Sequence, residues 1–369
     1  MTTHEQKLKE LRDQIDKLDN ELLVLLNKRG HIALDIAACK GGNANTDDGD
    51  YYYHPAREAE ILQRLLATNQ GPLSPREVVR LFKEIMSACR ALQKNLSIAF
   101  LGPQGTFTEA AALRHFGQSV KTTPLDTIDG VFREVESGNC DYGVVPVENS
   151  SEGVVNHTLD MFIRSPLMIC SEVMLRIHHH LLASPGEDSD TTRIEKVYSH
   201  QQSLAQCRQW LDRNLPAADR IAVTSNAEGA RRASLEPGAA AIASDIAART
   251  YRLQSVSTNI EDEPDNTTRF LVISTDKPVP CSGKDKTSLL LSVKDRPGAL
   301  FELIEPFARR AISMTRIESR PARSGLWEYV FFVDIEGHAT DPRIADALRE
   351  IQQNAMLFKV LGSYPKAVV

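Results

Sequence analysis

The stretch LSIAFLGPQGTFTEAAALRHF, residues 96–116, marks a change in the pattern of the chain. Residues before it have helical spacing with few interruptions, whereas apolar runs and helical patterns alternate after it. Inside the stretch, Ser97–Leu101 is a short apolar run that Gly102-Pro103 ends, and Glu109–Phe116 has helical spacing. A strand followed by a helix is the unit from which α/β architecture is built. The stretch therefore predicts the first such unit of an α/β domain.

Similar units continue along the chain and predict a middle domain over residues 96–275. Their apolar runs are Tyr142–Val147, Val197–His200, Ile221–Thr224, Ala239–Ala243 and Phe270–Ser274. Strands that alternate with helices favour largely parallel sheets. The region is long enough for two small α/β lobes.

The N-terminal region predicts a long amphipathic helix from about residue 5 to Lys40. Its apolar residues fill two heptad positions, Leu8, Ile15, Leu22 and Ile36 in one, and Leu11, Leu18, Leu25 and Ile32 in the other. At about 1.5 Å per residue this helix is roughly 54 Å long, and so long a seam needs a partner helix to bury it. After a polar loop at 41–50, shorter helices are predicted from Pro55 and from the capping box at 74–77. Together these helices predict an all-helical domain over residues 1–95.

The C-terminal region follows a polar linker, residues 276–286, and predicts a third domain over residues 286–369. Its elements are strand Ser288–Val293, helix Ala299–Arg310, strand Ser313–Ser319, strand Glu328–Ile335, helix Pro342–Gln353 and strand Leu357–Leu361. This βαββαβ order is that of the ferredoxin-like fold. The chain as a whole is therefore predicted to be multidomain, with all-helical, two-lobed α/β and α+β parts.

Composition excludes several classes of protein. The 369 residues carry a formal net charge of −6, which does not favour nucleic-acid binding. No apolar run approaches the about 18 residues of a membrane span, and the charged N-terminus lacks an apolar signal core. The nearest two of the six cysteines, Cys140 and Cys170, are 30 residues apart, so neither a disulfide framework nor a zinc ribbon is indicated. We expect a cytoplasmic protein without metal or cofactor, in which the run His178–His180 is not a metal site.

Charged residues of the helical region point to an anion. Arg29 shares a heptad position with Leu22 and Ile36, so its guanidinium lies on the apolar seam and needs a negative partner. Lys40, eleven residues on, lies about 20° away around the helix and shares that face. Other polar groups flank this arrangement, namely Arg12, Arg57, Glu58 and Gln93. A helical bundle with snorkelling cations and internal salt bridges would give the same pattern.

Three strings of the middle region place polar groups at strand ends. Residues 102–108, GPQGTFT, join a strand to a helix N-terminus, where carboxylates bind well. Residues 145–150, VPVENS, end an apolar strand in polar side chains, and residues 267–270, TTRF, precede another apolar run. Ligands of α/β sheets bind at such strand ends. Taken singly, each string also fits an ordinary strand–helix connection or a capped helix start.

Together the strings GPQGTFTE, VVPVENSSEG, YSHQQSLAQC and NTTRF resemble, in order, the motifs of the prephenate dehydratases over residues 97–275. The resemblance implies two lobes like those of periplasmic binding proteins, with the substrate in the cleft. There prephenate would lose its ring carboxylate as CO2 together with its 4-hydroxyl. Thr268 is implied as the catalytic residue, and the implied substrate-binding residues are Arg269, Asn149, Gln206, Glu148, Ser150, Thr106 and Ser199. A Thr hydroxyl is a poor acid in water, and the sequence does not show which group assists it.

The helical region resembles the all-helical chorismate mutases, which dimerise along the long helix. Their pericyclic reaction needs only that a dianion be held in its compact conformer and that charge developing on the ether oxygen be stabilised. The resemblance implies that Arg29, Arg57 and the partner subunit's Arg12 clamp the carboxylates. It further implies that Lys40 and Gln93 donate to the ether oxygen and that Glu58 accepts from the substrate hydroxyl. Two substrate-facing positions depart from the pattern, with His54 in place of Asp and Cys89 in place of Ser.

The C-terminal region carries two short motifs, residues 295–300 and 318–321, which turn chemistry alone would also explain. They resemble the effector motifs of ACT domains in phenylalanine-regulated dehydratases, whose site often spans a dimer interface. The effector-binding residues implied are Pro297, Gly298, Ala299, Leu300, Glu318, Ser319, Arg320 and Pro321. We expect the first and second strands to be neighbours, so that both motifs border one pocket.

The three resemblances together imply an enzyme that has both activities, is inhibited by phenylalanine and forms at least a homodimer. Two alternatives remain on the sequence alone. One is a non-enzymatic sensor whose two lobes bind a solute. The other is a dehydratase whose helical segment serves only for dimerisation.

Overall fold

Three helices form the described N-terminal region of the computed structural model, which describes residues 3–41, 52–185, 193–275, 278–294, 296–321 and 329–368. They are α1 (Thr3–Gly41), α2 (Pro55–Thr68) and α3 (Pro75–Ala91). Proline opens both shorter helices, and the Ser74 side chain accepts a hydrogen bond from the Glu77 backbone N–H at the start of α3. The predicted helices are confirmed, while most of the predicted loop at 41–50 lies outside the described residues.

Helix α1 packs on α3 near Gly30, where a Cβ would lie 3.3 Å from the Leu92 side chain. Its apolar seam is exposed over most of its length in a single chain, and Leu18 and Leu25 are 62% and 63% exposed. Uncovered apolar surface of this extent on a helix is typical of an interface with another helix.

The middle region folds into two α/β lobes, each around its own sheet. The first sheet contains β1 (Ser97–Leu101), β2 (Lys121–Leu125), β3 (Tyr142–Asn149), β4 (Gly153–Val154), β5 (Met168–Arg176) and β11 (Thr267–Ser274) in the order β2-β1-β3-β11-β5, with β4 on β3. The second contains β6 (His180–Ala183), β7 (Lys196–His200), β8 (Asp219–Val223), β9 (Ala239–Ala243) and β10 (Gln254–Ser257) in the order β10-β6-β9-β7-β8. The helices are α4 (Phe107–Phe116), α5 (Ile128–Glu136), α6 (Asn156–Arg164), α7 (Gln201–Gln206), α8 (Arg208–Asn214), α9 (Asn226–Ala233) and α10 (Asp245–Tyr251). The two-lobed α/β fold class is confirmed.

The expectation of largely parallel sheets is wrong for both lobes. Strand β11 is antiparallel to β3 and β5, and β6 is antiparallel to β9 and β10. The chain passes from the first lobe to the second between β5 and β6 and returns between β10 and β11. Parallel neighbours need a crossover connection, so a strand that arrives directly from the other lobe joins its sheet antiparallel to its neighbours.

The C-terminal region has the predicted βαββαβ order, with elements close to their expected bounds. They are β12 (Asp285–Val293), α11 (Ala299–Arg309), β13 (Met314–Pro321), β14 (Tyr329–Glu336), α12 (Pro342–Asn354) and β15 (Leu357–Pro365). The sheet order is β13-β14-β12-β15. The expectation that the first and second strands are neighbours is therefore wrong, because β14 lies between β12 and β13.

The central strands β12 and β14 of the C-terminal sheet are buried on both faces, whereas β13 exposes every second residue. One face packs on α11 and α12 through side chains such as Leu291 and Phe307. The other face packs on the first sheet of the middle region, where Leu290 and Phe332 join Leu271 in one core. At Gly362 a Cβ would lie 2.0 Å from the Ile169 carbonyl oxygen, so glycine is required where β15 crosses β5. The polar linker therefore does not separate two independent modules.

Candidate active sites

The two lobes of the middle region enclose a cavity of about 420 Å³. Thr106, Asn149 and Thr268 line it from the first lobe, and Gln206 and Asn226 line it from the second. Four of the residues that the sequence predicts for this site therefore meet in one place, although they come from distant parts of the chain.

Thr268 and Asn149 form a hydrogen-bonded pair at the floor of this cleft. They are register partners on β11 and β3, and Asn149 Nδ2 donates to Thr268 Oγ1 at 2.8 Å. The Asn149 Oδ1 accepts from the backbone N–H groups of Ser151 and Glu152, at 2.9 and 3.1 Å, which fixes the amide orientation. A donor on a hydroxyl oxygen stabilises the negative charge that develops when that hydroxyl releases its proton. Asn149 is therefore the side chain that donates to the Thr268 hydroxyl oxygen from the cleft floor.

A second polar group closes the cleft on the side of the second lobe. The Gln206 Oε1 lies 2.8 Å from His179 Nε2 and accepts from Asn266 Nδ2 at 3.3 Å. Burial lowers the pKa of His179, although the bond to Gln206 opposes the shift, so the ring is neutral at neutral pH. With its oxygen engaged, Gln206 keeps its amide N–H groups for a ligand. Sequence reasoning missed His179 and Asn266, yet Asn266 directly precedes the TTRF string.

The histidine run His178–His180 is divided among separate partners. His178 Nδ1 lies 2.8 Å from Glu261, and His180 Nε2 lies 2.9 Å from Asp245. Within the described ranges, no group of three or more His, Cys, Asp or Glu side chains is placed to hold a metal ion. No helix in that same part of the chain is long and apolar enough to cross a membrane.

Three further predicted residues have structural contacts in this region. Thr106 caps α4 and donates to the Leu101 carbonyl at 3.0 Å while it borders the cavity. Ser150 Oγ accepts from the Thr267 backbone N–H at 2.9 Å and joins the ends of β3 and β11. Ser199 is fully buried and donates to the Ile242 carbonyl at 2.7 Å, so its hydroxyl belongs to the sheet. The structure therefore does not place Ser199 on the cavity wall.

Arg269 and Glu148 face away from the cleft, contrary to the sequence expectation. Each adjoins a residue of the Thr268–Asn149 pair, and adjacent residues of a strand point to opposite sides of the sheet. Arg269 is buried and contacts Glu172, Asp334 and the Tyr364 hydroxyl, whereas Glu148 pairs with Arg316 at 3.4 Å. Both side chains thus meet the C-terminal sheet instead of the cavity.

In the helical region, several predicted residues lie where α1 meets α3. Arg29 Nη1 donates to the Ile85 carbonyl of α3 at 3.4 Å. Cys89 is buried one turn further along α3, and the half-buried Gln93 follows the end of that helix. Arg12 is exposed near the start of α1, and the side chain of Lys40 lies outside the described part.

The predicted residues of α2 have other partners in a single chain. Arg57 pairs with Glu60 at 3.0 Å on the surface, and His54 is the N-cap residue of α2. Glu58 pairs with the buried Arg90, whose Nη2 donates to the Phe116 carbonyl at 2.6 Å. Burial raises the pKa of Glu58, and the charge of Arg90 opposes the rise. The charge of Arg29 also acts to lower the pKa of Glu58, so this carboxylate lies within electrostatic range of the α1–α3 contact while it pairs with Arg90.

The two predicted effector motifs lie at the same end of the strands of the C-terminal sheet. Strands β12 and β13 are both antiparallel to β14, and Val293 and Pro321 both pair with Tyr329. At about 4.8 Å per strand, the motif ends are therefore roughly 10 Å apart. Gly298 begins α11 with φ of 83°, and the side chain of Arg320 pairs with Asp160 of α6 at 3.1 Å.

Two α/β lobes with a cavity between them, and a hydrogen-bonded threonine and asparagine at its floor, define a two-lobed α/β protein whose candidate site lies in the cleft. The chain matches the family models for prephenate dehydratase over residues 98–278, chorismate mutase type II over 11–94 and the ACT domain over 287–353. It belongs to the family of bifunctional chorismate mutase/prephenate dehydratases.

Relatives of this family match nearly the whole chain. The bifunctional chorismate mutase/prephenate dehydratase of Pseudomonas aeruginosa is 53% identical, over 98% of this chain and 99% of its own length. That of Aquifex aeolicus is 47% identical over 99% of each chain. Among solved structures, the prephenate dehydratase of Arthrobacter aurescens in complex with L-Phe covers 74% of this chain and 93% of its own, with 37% identity and a TM-score of 0.68. The prephenate dehydratase of Staphylococcus aureus has 28% identity and a TM-score of 0.64 over 73% of this chain and all of its own.

Proposed function

We propose that the chain carries out two consecutive reactions in separate domains and senses phenylalanine with a third. Residues 1–95 rearrange chorismate to prephenate, residues 96–275 convert prephenate to phenylpyruvate, and residues 286–369 bind the effector. The observation that carries the dehydratase assignment is the Asn149–Thr268 hydrogen bond at the cleft floor. The widely spaced cysteines without disulfides support a cytoplasmic location.

The dehydratase step needs an acid for the leaving hydroxyl and a cleft that excludes water. The bond to the ring carboxylate breaks, and its electron pair forms a ring double bond as the C4–O bond breaks. Thr268 gives its proton to the departing hydroxide, which leaves as water, and the Asn149 amide stabilises the negative charge left on the Thr268 oxygen. That oxygen regains a proton from solvent once the products have left the cleft. Gln206 and the α4 N-terminus at Thr106 face the same cavity and are placed to bind the substrate carboxylates.

The mutase site is proposed to form between two chains. A second copy of α1 would cover the exposed seam and bring its Arg12 to the contact of α1 with α3, where Arg29 lies. Arg29, Arg57 and the partner's Arg12 then clamp the dianion, and Lys40 and Gln93 donate to the ether oxygen. Glu58 binds Arg90 through Oε1, so its second carboxylate oxygen can accept from the substrate hydroxyl.

Phenylalanine is the effector that we propose for the C-terminal domain. Support comes from the two motifs, which lie at the same end of the strands of this sheet, and from the relative of Arthrobacter aurescens, whose structure is a complex with L-Phe. Strand β13 is the outermost strand of its sheet among the described residues, so a second chain can pair with it and complete the pocket. An effector inhibits only if the inhibited conformation binds it more tightly than the active one.

A coupled assay from chorismate to phenylpyruvate, with and without phenylalanine, tests all three assignments. We expect both turnovers, and a loss of the second when phenylalanine is added. Ligand affinity without turnover would favour a solute sensor. Prephenate turnover without chorismate turnover would favour a helical region that serves only for dimerisation.

A further inference from the structure

The C-terminal sheet covers the rear of the sheet that carries the catalytic pair. Apolar contacts fill most of this interface, but charged side chains meet inside it. Arg269 of β11 donates to Asp334 of β14 at 2.6 Å and to Tyr364 of β15 at 3.0 Å. Glu172 of β5 accepts from Arg269 at 2.9 Å and from Lys286 of β12 at 2.7 Å. Two cations and two carboxylates thus balance each other across the domain boundary.

These bonds use the hydrogen-bonding capacity of Arg269. Its Nε donates to Glu172, its Nη1 to Asp334 and its Nη2 to Tyr364. The residue is only 6% exposed. Burial raises the pKa of Asp334, but the charge of Arg269 and the hydrogen bonds from Ser288 and Arg269 together outweigh that effect and hold the pKa below its ordinary value. A guanidinium so engaged has no free fork to offer a substrate carboxylate.

The register of β3 and β11 links this rear cluster to the cleft. Thr268 pairs with Asn149, and the next pair along is Arg269 with Glu148. Because side chains alternate, the first pair faces the cavity and the second faces the C-terminal sheet. Glu148 meets Arg316 of β13 there, at 3.4 Å. At adjacent positions, β3 and β11 therefore carry one pair that faces the cleft and one pair that the C-terminal sheet contacts.

We propose that Arg269 and Glu148 are positioning residues through which the C-terminal sheet sets the geometry of the Thr268–Asn149 pair. The proposal rests on the proposed role of Thr268. A displacement of the C-terminal sheet would move Arg269 and Glu148, and with them the strand positions of the catalytic pair. An effector that binds at the two motifs and displaces that sheet would thereby lower the rate of the dehydratase reaction.

The test is Asp334→Asn in the full chain, since Asp334 lies on the C-terminal sheet and cannot touch the substrate. We expect kcat for prephenate to fall about tenfold with KM within about twofold, because the change acts on Thr268 and not on substrate binding. Chorismate turnover should stay within about twofold. The matched control is Asp285→Asn, a buried aspartate of the same sheet that bonds its own turn at residues 282 and 283. It should leave kcat for prephenate within about twofold.

A second set of variants distinguishes a loss of positioning from simple misfolding of Asp334→Asn. If the pair acts as one unit, Arg269→Met with Asp334→Leu should lower kcat no further than Arg269→Met alone. Arg269→Lys should recover part of the kcat that Arg269→Met loses, with KM for prephenate unchanged.

The results that would overturn the proposal are an unchanged kcat in Asp334→Asn, or an Arg269→Lys variant whose KM rises about tenfold at constant kcat. The second would make Arg269 a substrate ligand. Failure of the proposed function itself is distinguishable from these results. In that case either the unaltered chain would not turn over prephenate, or Thr268→Ala would turn it over as fast as the unaltered chain.

Discussion

The dehydratase cleft and the mutase site differ in how much of each is complete in one chain. In the cleft, Asn149 and Thr268 are bonded at 2.8 Å, and Gln206 faces them from the other lobe. In the helical region, Arg29 lies at the contact of α1 with α3, whereas Glu58 faces Arg90 instead. The apolar seam of α1 is uncovered along the same helix.

The difference follows from the scaffolds. A sheet fixes neighbouring strands through its backbone hydrogen bonds, so its register places side chains without help from another molecule. A single long helix fixes only the spacing along itself, and its seam needs a partner. We therefore expect substitutions in the two sites to separate the two activities.

The largest expected effect is that of Thr268→Ala. It removes the proposed proton donor, so kcat/KM for prephenate should fall at least about 1000-fold, or ~4 kcal/mol of transition-state stabilisation. Chorismate turnover should stay within about twofold, as expected for distant sites. Thr267→Ala, one residue away at the strand end, is the control and should keep both activities. A parallel loss of both activities in folded Thr268→Ala would show that the sites are not separate.

Arg29→Ala is the converse change and should affect only the first reaction. Loss of a clamp on the substrate dianion should lower mutase kcat/KM at least about 100-fold, or ~2.7 kcal/mol. Prephenate turnover should be unchanged within about twofold. Lys28→Ala removes a neighbouring exposed cation and should leave both activities intact. Near-normal mutase activity in Arg29→Ala would remove Arg29 from the site.

Asn149→Asp sharpens the account of the cleft. An aspartate keeps the oxygen that accepts from Ser151 and Glu152 but loses the donor to Thr268. The turn should hold while kcat for prephenate falls about tenfold to thirtyfold, the range of a lost charge-stabilising hydrogen bond. Steady-state kinetics on prephenate measure the effect. Unchanged kcat would mean that Asn149 does not assist Thr268.

Gly298→Val should have the smallest effect on turnover and act only on regulation. Its φ of 83° disfavours a branched side chain, so the start of α11 at the effector motif should shift. We expect half-inhibition to need at least about tenfold more phenylalanine, with both activities within about twofold. Gly283→Val is the control, because Gly283 has φ of 86° and equally open space but lies away from the motif. Undiminished inhibition in Gly298→Val would place the effector pocket elsewhere.

The sequence predicted best those elements whose burial follows their own pattern. The sequence predicts a helix over Pro342–Gln353, and α12 ends one residue later. The hydrophobic pattern does not predict strand β5, Met168–Arg176, because this strand buries the polar residues Ser171 and Glu172. Glu172 is buried because Arg269 and Lys286 pair with it, and no pattern within β5 records those partners.

The candidate site was predicted in part for the same reason. Motif order identified Thr268 and Asn149, which lie together. Adjacent residues of a strand face opposite sides of the sheet, so the TTRF string by itself indicates that Arg269 and Thr268 cannot both face the cleft. The sequence does not show what packs on the rear of the first sheet, because a strand that is buried on both faces has the same apolar pattern whatever covers it.

The most direct test of the difference between the two sites is complementation between defective chains. Arg12→Ala and Arg29→Ala chains are each expected to lack mutase activity while they keep prephenate turnover. If each mutase site takes Arg29 from one chain and Arg12 from its partner, mixing equal amounts and allowing subunit exchange restores about a quarter of normal mutase activity. Half of the random dimers are then mixed, and one of the two sites in each mixed dimer is intact. No recovery on mixing, with exchange shown by a size or tag assay, would contradict a mutase site built from two chains.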